Sequence, residues 1–167
     1  GLIATGERYS LRWESKDLMA LRDWLGAIAA KMTRTDTTAE TARGAARWPL
    51  AATAPFDLID NPWHVAARRA ERTGIELAER IRRRRDFGRR PISLIGFSLG
   101  SRVIFGALED LARTREHGLV YQTILMGGAF TADRTRWERV RRVVSGRLVN
   151  AYCTSDWVLA VAYRAGA

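Results

Sequence analysis

The segment PISLIGF at residues 91–97 is the tightest constraint on what this 167-residue chain can fold into. It is short and mostly apolar, and it has the composition of a strand buried on both faces, as the strands of parallel sheets are. It runs through Gly96-Phe97-Ser98-Leu99-Gly100 into Val103, Leu108 and Leu111, which recur at helical spacing from residue 100 to about 115. A parallel strand cannot return through a hairpin and needs a crossover, usually a helix, before its neighbour. The same alternation continues downstream. LVYQTILMG gives a strand over 120–126, ADRTRWERVRRVV a helix over 134–144, and GRLVNAYC a strand over 147–153.

Upstream, ERYSLRW alternates as a strand would over 7–13. Ser15 then caps a helix over 16–32, marked by Leu18, Leu21, Leu25 and Ile28. Asp60-Asn61-Pro62 offers a cap followed by proline at the first helical position. Trp63, Ala66, Ala70, Gly74, Leu77 and Ile81 form one apolar face of a helix over 62–85. Residues 33–59, broken by Pro49 and Pro55, read as an irregular insertion. Four strands separated by helices predict a parallel sheet in a three-layer α/β domain, with right-handed crossovers placing helices on both sides.

A hydrophobic fraction of 47% in a chain of this length supplies one core, so residues 1–167 are expected to form a single domain. No apolar run reaches the 18 to 20 residues, roughly, of a membrane span. Gly1 follows no signal-peptide pattern, and the chain is read as a piece of a longer protein, truncated at both ends. Cys153 is the single cysteine, so no internal disulfide can form, and a reducing compartment is the simpler setting. Its place near a strand end suggests a small core residue rather than a second nucleophile.

The formal charge is +10, and of the 28 basic residues only Lys16 and Lys31 are lysine. Such a balance favours anionic partners, either nucleic acid or acidic lipid head groups. The densest run, RIRRRRDFGRR at 80–90, carries no nucleic-acid motif and no aromatic platform beyond Phe87, so nucleic acid is not an expected partner. The run falls where a helix ends and reads first as a solvated terminus complementing the helix dipole. An anionic-surface site is the alternative.

Ser98 stands between two glycines at the hand-over from strand to helix. That setting turns the weak pattern G-x-S-x-G into a candidate nucleophile elbow, a tight turn that lifts a serine hydroxyl above the sheet edge. Gly96 and Gly100 would allow the backbone to approach closely, and the Leu99 N–H at the helix start could donate to an oxyanion. A glycine-rich turn that only packs, or holds a phosphate, is the alternative. A serine needs a base to take its proton and a carboxylate to orient that base. Asp156, after the last strand, is the candidate acid. Asp133 sits just ahead of a helix and is explained as its cap. His117 follows the elbow's helix and belongs at the opposite end of the sheet. His64 precedes the serine, out of order for a triad of this kind. The base is therefore expected beyond Ala167. Neither a cofactor nor a metal is called for.

LRWESKDL at 11–18, DNPW at 60–63, RRPISLIGFSLGSRVI at 89–104 and VVSGRLVNAYCTSDWVL at 143–159 resemble the transmembrane and coiled-coil domain-containing proteins, a family with an α/β-hydrolase-like domain of unknown function. The resemblance spans nearly the whole chain. It implies a partial α/β-hydrolase fold with Ser98 as nucleophile and Asp156 as acid. It also implies a histidine downstream, and earlier strands with a second oxyanion loop upstream, so the isolated segment is expected to be inactive. The implied activity is hydrolysis of a small-molecule or lipid ester, with membrane association supplied by segments outside this chain. A non-catalytic interaction module at membranes, keeping the elbow only for packing, is the competing reading.

Overall fold

The computed structural model describes residues 7–13, 15–35, 62–84, 87–128, 130, 133–156 and 159. Its elements are α1 (Ser15–Thr35), α2 (Pro62–Arg83), β1 (Ile92–Phe97), α3 (Leu99–Arg113), β2 (Val120–Met126), α4 (Arg134–Val143) and β3 (Leu148–Ala151). The strands form one parallel sheet in the order β1-β2-β3, with Ile95 opposite Ile124 and Ile124 opposite Val149. The pattern of a mixed α/β chain with a parallel sheet flanked by helices is thus present.

Strands adjacent in sequence are adjacent in space and joined by one helix each, so right-handed crossovers carry α3 and α4 to the same face. Gly96 lets α3 settle there. A Cβ on Gly96 would stand 2.8 Å from both Ile104 Cδ1 and the Ser101 nitrogen. The opposite face carries Ser93, Ile95 and Phe97, and Ile95 and Phe97 are 49% and 72% exposed. The described residues therefore build two layers. The second helical layer of the expected three-layer arrangement is not among them.

The helical layer packs through small residues. Ala66, Ala70, Gly74 and Ala78 recur every fourth position on the buried side of α2 and bring its backbone against α3. A Cβ on Gly74 would lie 2.6 Å from the Val103 carbonyl oxygen, so only glycine fits that crossing. Phe105, Leu108 and Leu111 of α3 fill the core with Val120 and Leu125 of β2. Each such side chain contributes about 1.5–3 kcal/mol by leaving water. α4 is fastened to α3 by Trp137 and Phe130, whose rings stand 4.9 and 5.1 Å from Phe105, and by two 2.6 Å hydrogen bonds from Arg136 to Glu109. α1 lies against α2 with Leu21 buried.

Residues 7–13 are not a strand. The alternation is there, but among the described residues no neighbouring strand supplies backbone partners. The segment instead runs over the surface with Tyr9 and Leu11 exposed, held by a Tyr9–Phe87 edge-to-face contact at 5.2 Å and an Arg90–Glu7 ion pair at 3.0 Å. Residues 33–35, expected to be irregular, continue α1, and 36–59 lie outside the described residues. Among the described residues, no helix is long and apolar enough to cross a membrane.

Candidate active site

β1 ends at Phe97 and α3 begins at Leu99, so Ser98 alone turns the chain. It does so at φ 52°, ψ −124°, a region that side chains other than glycine's rarely occupy and that costs about 1–3 kcal/mol. Hydrogen bonds fix it from both ends. The Ser98 N–H donates to the Met126 carbonyl at 2.8 Å, and the Ser98 carbonyl accepts from the Ser101 N–H at 3.0 Å. Ser101 is fully buried; its hydroxyl donates to the Met126 carbonyl and accepts from the Met126 N–H, both at 3.1 Å. A serine hydroxyl can cap a helix it precedes. That of Ser98 makes no such bond and has no partner among the described residues.

The two glycines of the motif differ. Gly96 is required by the contact of α3 with the sheet, whereas a Cβ on Gly100 would meet nothing described within 4 Å. The Leu99 amide opens α3, and no acidic side chain occupies the first turn, so the positive end of the helix is uncompensated there. Among the described residues this amide finds no acceptor.

Asp156 reaches the same edge from β3 through a turn in which its N–H donates to the Cys153 carbonyl at 3.3 Å. It is half-buried, and its Oδ1 accepts from the Leu159 N–H at 3.0 Å. Gly127, at φ 52° just past β2, lies beside Phe97 and Asp156. Its N–H donates to the Ala151 carbonyl at 2.9 Å, and a Cβ there would stand 3.7 Å from the Phe97 ring and 3.9 Å from Asp156 Oδ2. Ser98, the Leu99 amide and the Asp156 carboxylate thus share the carboxyl edge of the sheet, and Ser98 and Asp156 are not hydrogen-bonded to each other.

The remaining candidates lie elsewhere. Asp133 is exposed and caps α4, its Oδ1 accepting from the Thr135 N–H at 2.8 Å. His117 is at the amino edge, with Nδ1 3.2 Å from the Arg142 carbonyl. α2 runs parallel to α3, as the pairs Glu71–Arg102 and Asp110–Arg82 require, which puts His64 at the carboxyl end; among the described residues its imidazole bonds to neither Ser98 nor an aspartate. Cys153, expected in the core, is exposed two residues past β3. A hydrogen bond from Ser155, 3.1 Å away, holds its thiol below the usual range. Among the described residues no group of three histidine, cysteine or acidic side chains is placed to hold a metal ion.

Ser101 and Gly127 are the neighbours that sequence reading missed. Each had a signal: Ser101 is a small polar residue one turn into a helix that must lie on the sheet, and Gly127 ends β2 as Ser98 ends β1.

A family described as "Protein of unknown function (DUF726)" matches residues 2–167. "Uncharacterized membrane protein F35D11.3" of Caenorhabditis elegans is 42% identical over 96% of this chain and 27% of its own length. "Transmembrane and coiled-coil domain-containing protein STS1" of Oryza sativa is 41% identical over 95% and 25%. "Probable lipase MIL1" of Saccharomyces cerevisiae is 35% identical over 97% and 16%. The chain spans about a quarter or less of these relatives' length. No solved structure is a significant match.

Proposed function

The chain belongs to the DUF726 family, and from that premise we propose that it carries the nucleophile and acid of a serine hydrolase with an α/β-hydrolase core, acting on carboxylic esters of small molecules or lipids. The supporting observation is the backbone of Ser98, held at φ 52°, ψ −124° with its hydroxyl left out of the helix cap. Strain of this kind persists where the surroundings enforce it, and a strand-to-helix elbow uses it to present a nucleophile.

The roles follow from position. Ser98 Oγ attacks the ester carbonyl carbon as a histidine from outside the described residues takes its proton. The Leu99 N–H donates to the oxygen on which negative charge develops, and Asp156 orients the histidine and stabilises its charged form. The histidine then gives the proton to the departing alcohol, and water releases the acyl group by the reverse roles. Phe97 and Tyr152, 72% and 73% exposed at the ends of β1 and β3, offer apolar surface beside the serine, which suits an acyl chain. The relative named as a probable lipase supports a lipid ester, and those named as membrane proteins support attachment through segments outside this chain.

A fluorophosphonate probe tests this on the full-length protein. Labelling that disappears in Ser98→Ala is expected. Absence of labelling on folded protein contradicts it and favours the non-catalytic module.

A further inference from the structure

The basic run at 80–90 has a three-dimensional setting that its sequence position does not reveal. α2, α3 and α4 all end at the amino edge of the sheet. The three ends touch: Arg82 reaches Asp110 and Thr114 of the α3 end, and His117 Nδ1 is 3.2 Å from the Arg142 carbonyl of the α4 end. Arginines from three helix ends and the loops before β1 and β3 therefore gather on one face.

The helix dipole explains only part of this. It favours a cation in the last turn of a helix and fades beyond it. Arg89 and Arg147 lie in loops leading into strands, outside any helix end. Arg84 and Arg115 take φ 51° and 57° just after α2 and α3, positions where glycine or asparagine is the relaxed choice. The acids nearby are largely engaged: Asp110 with Arg82 and Arg113, Glu79 with Arg82 and Arg83, Glu7 with Arg90. Arg89, Arg115, Arg142 and Arg147 are exposed and hold no carboxylate among the described residues.

The geometry points to the amino edge as a docking face for an anionic phospholipid bilayer, with guanidinium groups meeting lipid phosphates and carboxylates. Nucleic acid fits less well. Phe87 is half-buried edge-on against Tyr9 and offers no stacking platform for bases. Docking in this way holds the Ser98 edge about 22 Å off the surface, the length of the 15-residue α3. The site would then face away from the docked bilayer, so it would take an ester from solution or from an apposed membrane rather than from the bilayer it is docked on. The docking face stands whether or not Ser98 is catalytic.

The test measures the full-length protein on vesicles of phosphatidylcholine with and without phosphatidylserine, over a salt series. Phosphatidylserine is expected to strengthen binding about tenfold or more, with the gain falling as salt rises. Arg89→Gln, Arg115→Gln, Arg142→Gln and Arg147→Gln together should remove that gain. Arg12→Gln, Arg68→Gln, Arg72→Gln and Arg134→Gln, an equal charge change on exposed residues away from that edge, should keep it. Wild-type binding indifferent to phosphatidylserine overturns the proposal without any variant. So does equal loss in the two variants, and so does a salt-sensitive affinity for duplex DNA or RNA that only the first variant loses while its vesicle binding persists.

Discussion

At the carboxyl edge of the sheet the chain passes from β1 to α3 through Ser98 alone, whereas at the amino edge it takes residues 84–91 to pass from α2 to β1. Both connections hold a non-glycine residue at positive φ, Ser98 at 52° and Arg84 at 51°. They hold it differently. Ser98 is clamped between strand and helix by its own amide and carbonyl and by the buried Ser101 hydroxyl on Met126. Arg84 simply ends a helix, its N–H donating to the Arg80 carbonyl at 3.2 Å and its guanidinium to the Arg89 carbonyl at 3.3 Å. The tight connection leaves no room for alternatives and fixes one hydroxyl. The longer one carries Arg84, Arg89 and Arg90 among its described residues. A parallel α/β unit is polar in this sense: helix starts with free N–H groups gather at one edge and helix ends with free carbonyls at the other.

The largest effect expected from breaking this contrast is chemical. Ser98→Ala in the full-length protein should lower ester hydrolysis by roughly a thousandfold or more, because the base and acid have nothing to activate. A chromogenic ester assay measures it, and retained activity would place the nucleophile elsewhere.

Next comes the ion pair that anchors the amino edge. Asp110 is 7% exposed between Arg82 and Arg113, and removing it should destabilise the domain by about 3 kcal/mol, since a partly buried guanidinium keeps only Glu79 of its two carboxylate partners. Burial alone would push the Asp110 carboxyl up, but hydrogen bonds from Arg113 and Arg82 outweigh it and hold the group below the usual carboxylate range. A carboxyl depressed in the folded state stabilises above its unfolded value, about 3.9, and that stabilisation is lost as pH falls through the folded value. Urea titrations of wild type should therefore lose stability below about pH 4, and Asp110→Asn should flatten that limb.

The two motif glycines sharpen the comparison at smaller cost. Gly96→Ala should destabilise by about 1–3 kcal/mol, because its Cβ would meet Ile104 and the Ser101 nitrogen at 2.8 Å. Gly100→Ala meets no described atom within 4 Å and should be neutral or stabilise α3 by up to about 1 kcal/mol. Equal effects in a thermal melt would contradict the packing at the elbow. Smallest is Ser98→Gly, which releases the positive φ and should stabilise by about 1 kcal/mol while abolishing activity.

Much of this was legible in the sequence because local signals and the fold agreed. β2 occupies 120–126 as its apolar run implies, and Asp133 caps α4 as its place before the helix implies. Residues 7–13 misled because alternation encodes which face a side chain takes, not whether another strand is there to pair. Cys153 misled because β3 stops at Ala151, two residues earlier than the apolar pattern suggests, and leaves it exposed. The clamp of Ser101 on Met126 and the place of Gly127 beside Asp156 join residues 25 and more positions apart, which no local pattern carries. The gathering of three helix ends into one basic face was hidden for the same reason.

The most direct measurement is a crystal structure of the full-length protein with a fluorophosphonate bound. Phosphorus is expected to be bonded to Ser98 Oγ, with a phosphoryl oxygen accepting from the Leu99 N–H and a histidine from outside the described residues between Ser98 and the Asp156 carboxylate. Phosphorus on another residue, or a histidine oriented by a carboxylate other than Asp156, would contradict this arrangement.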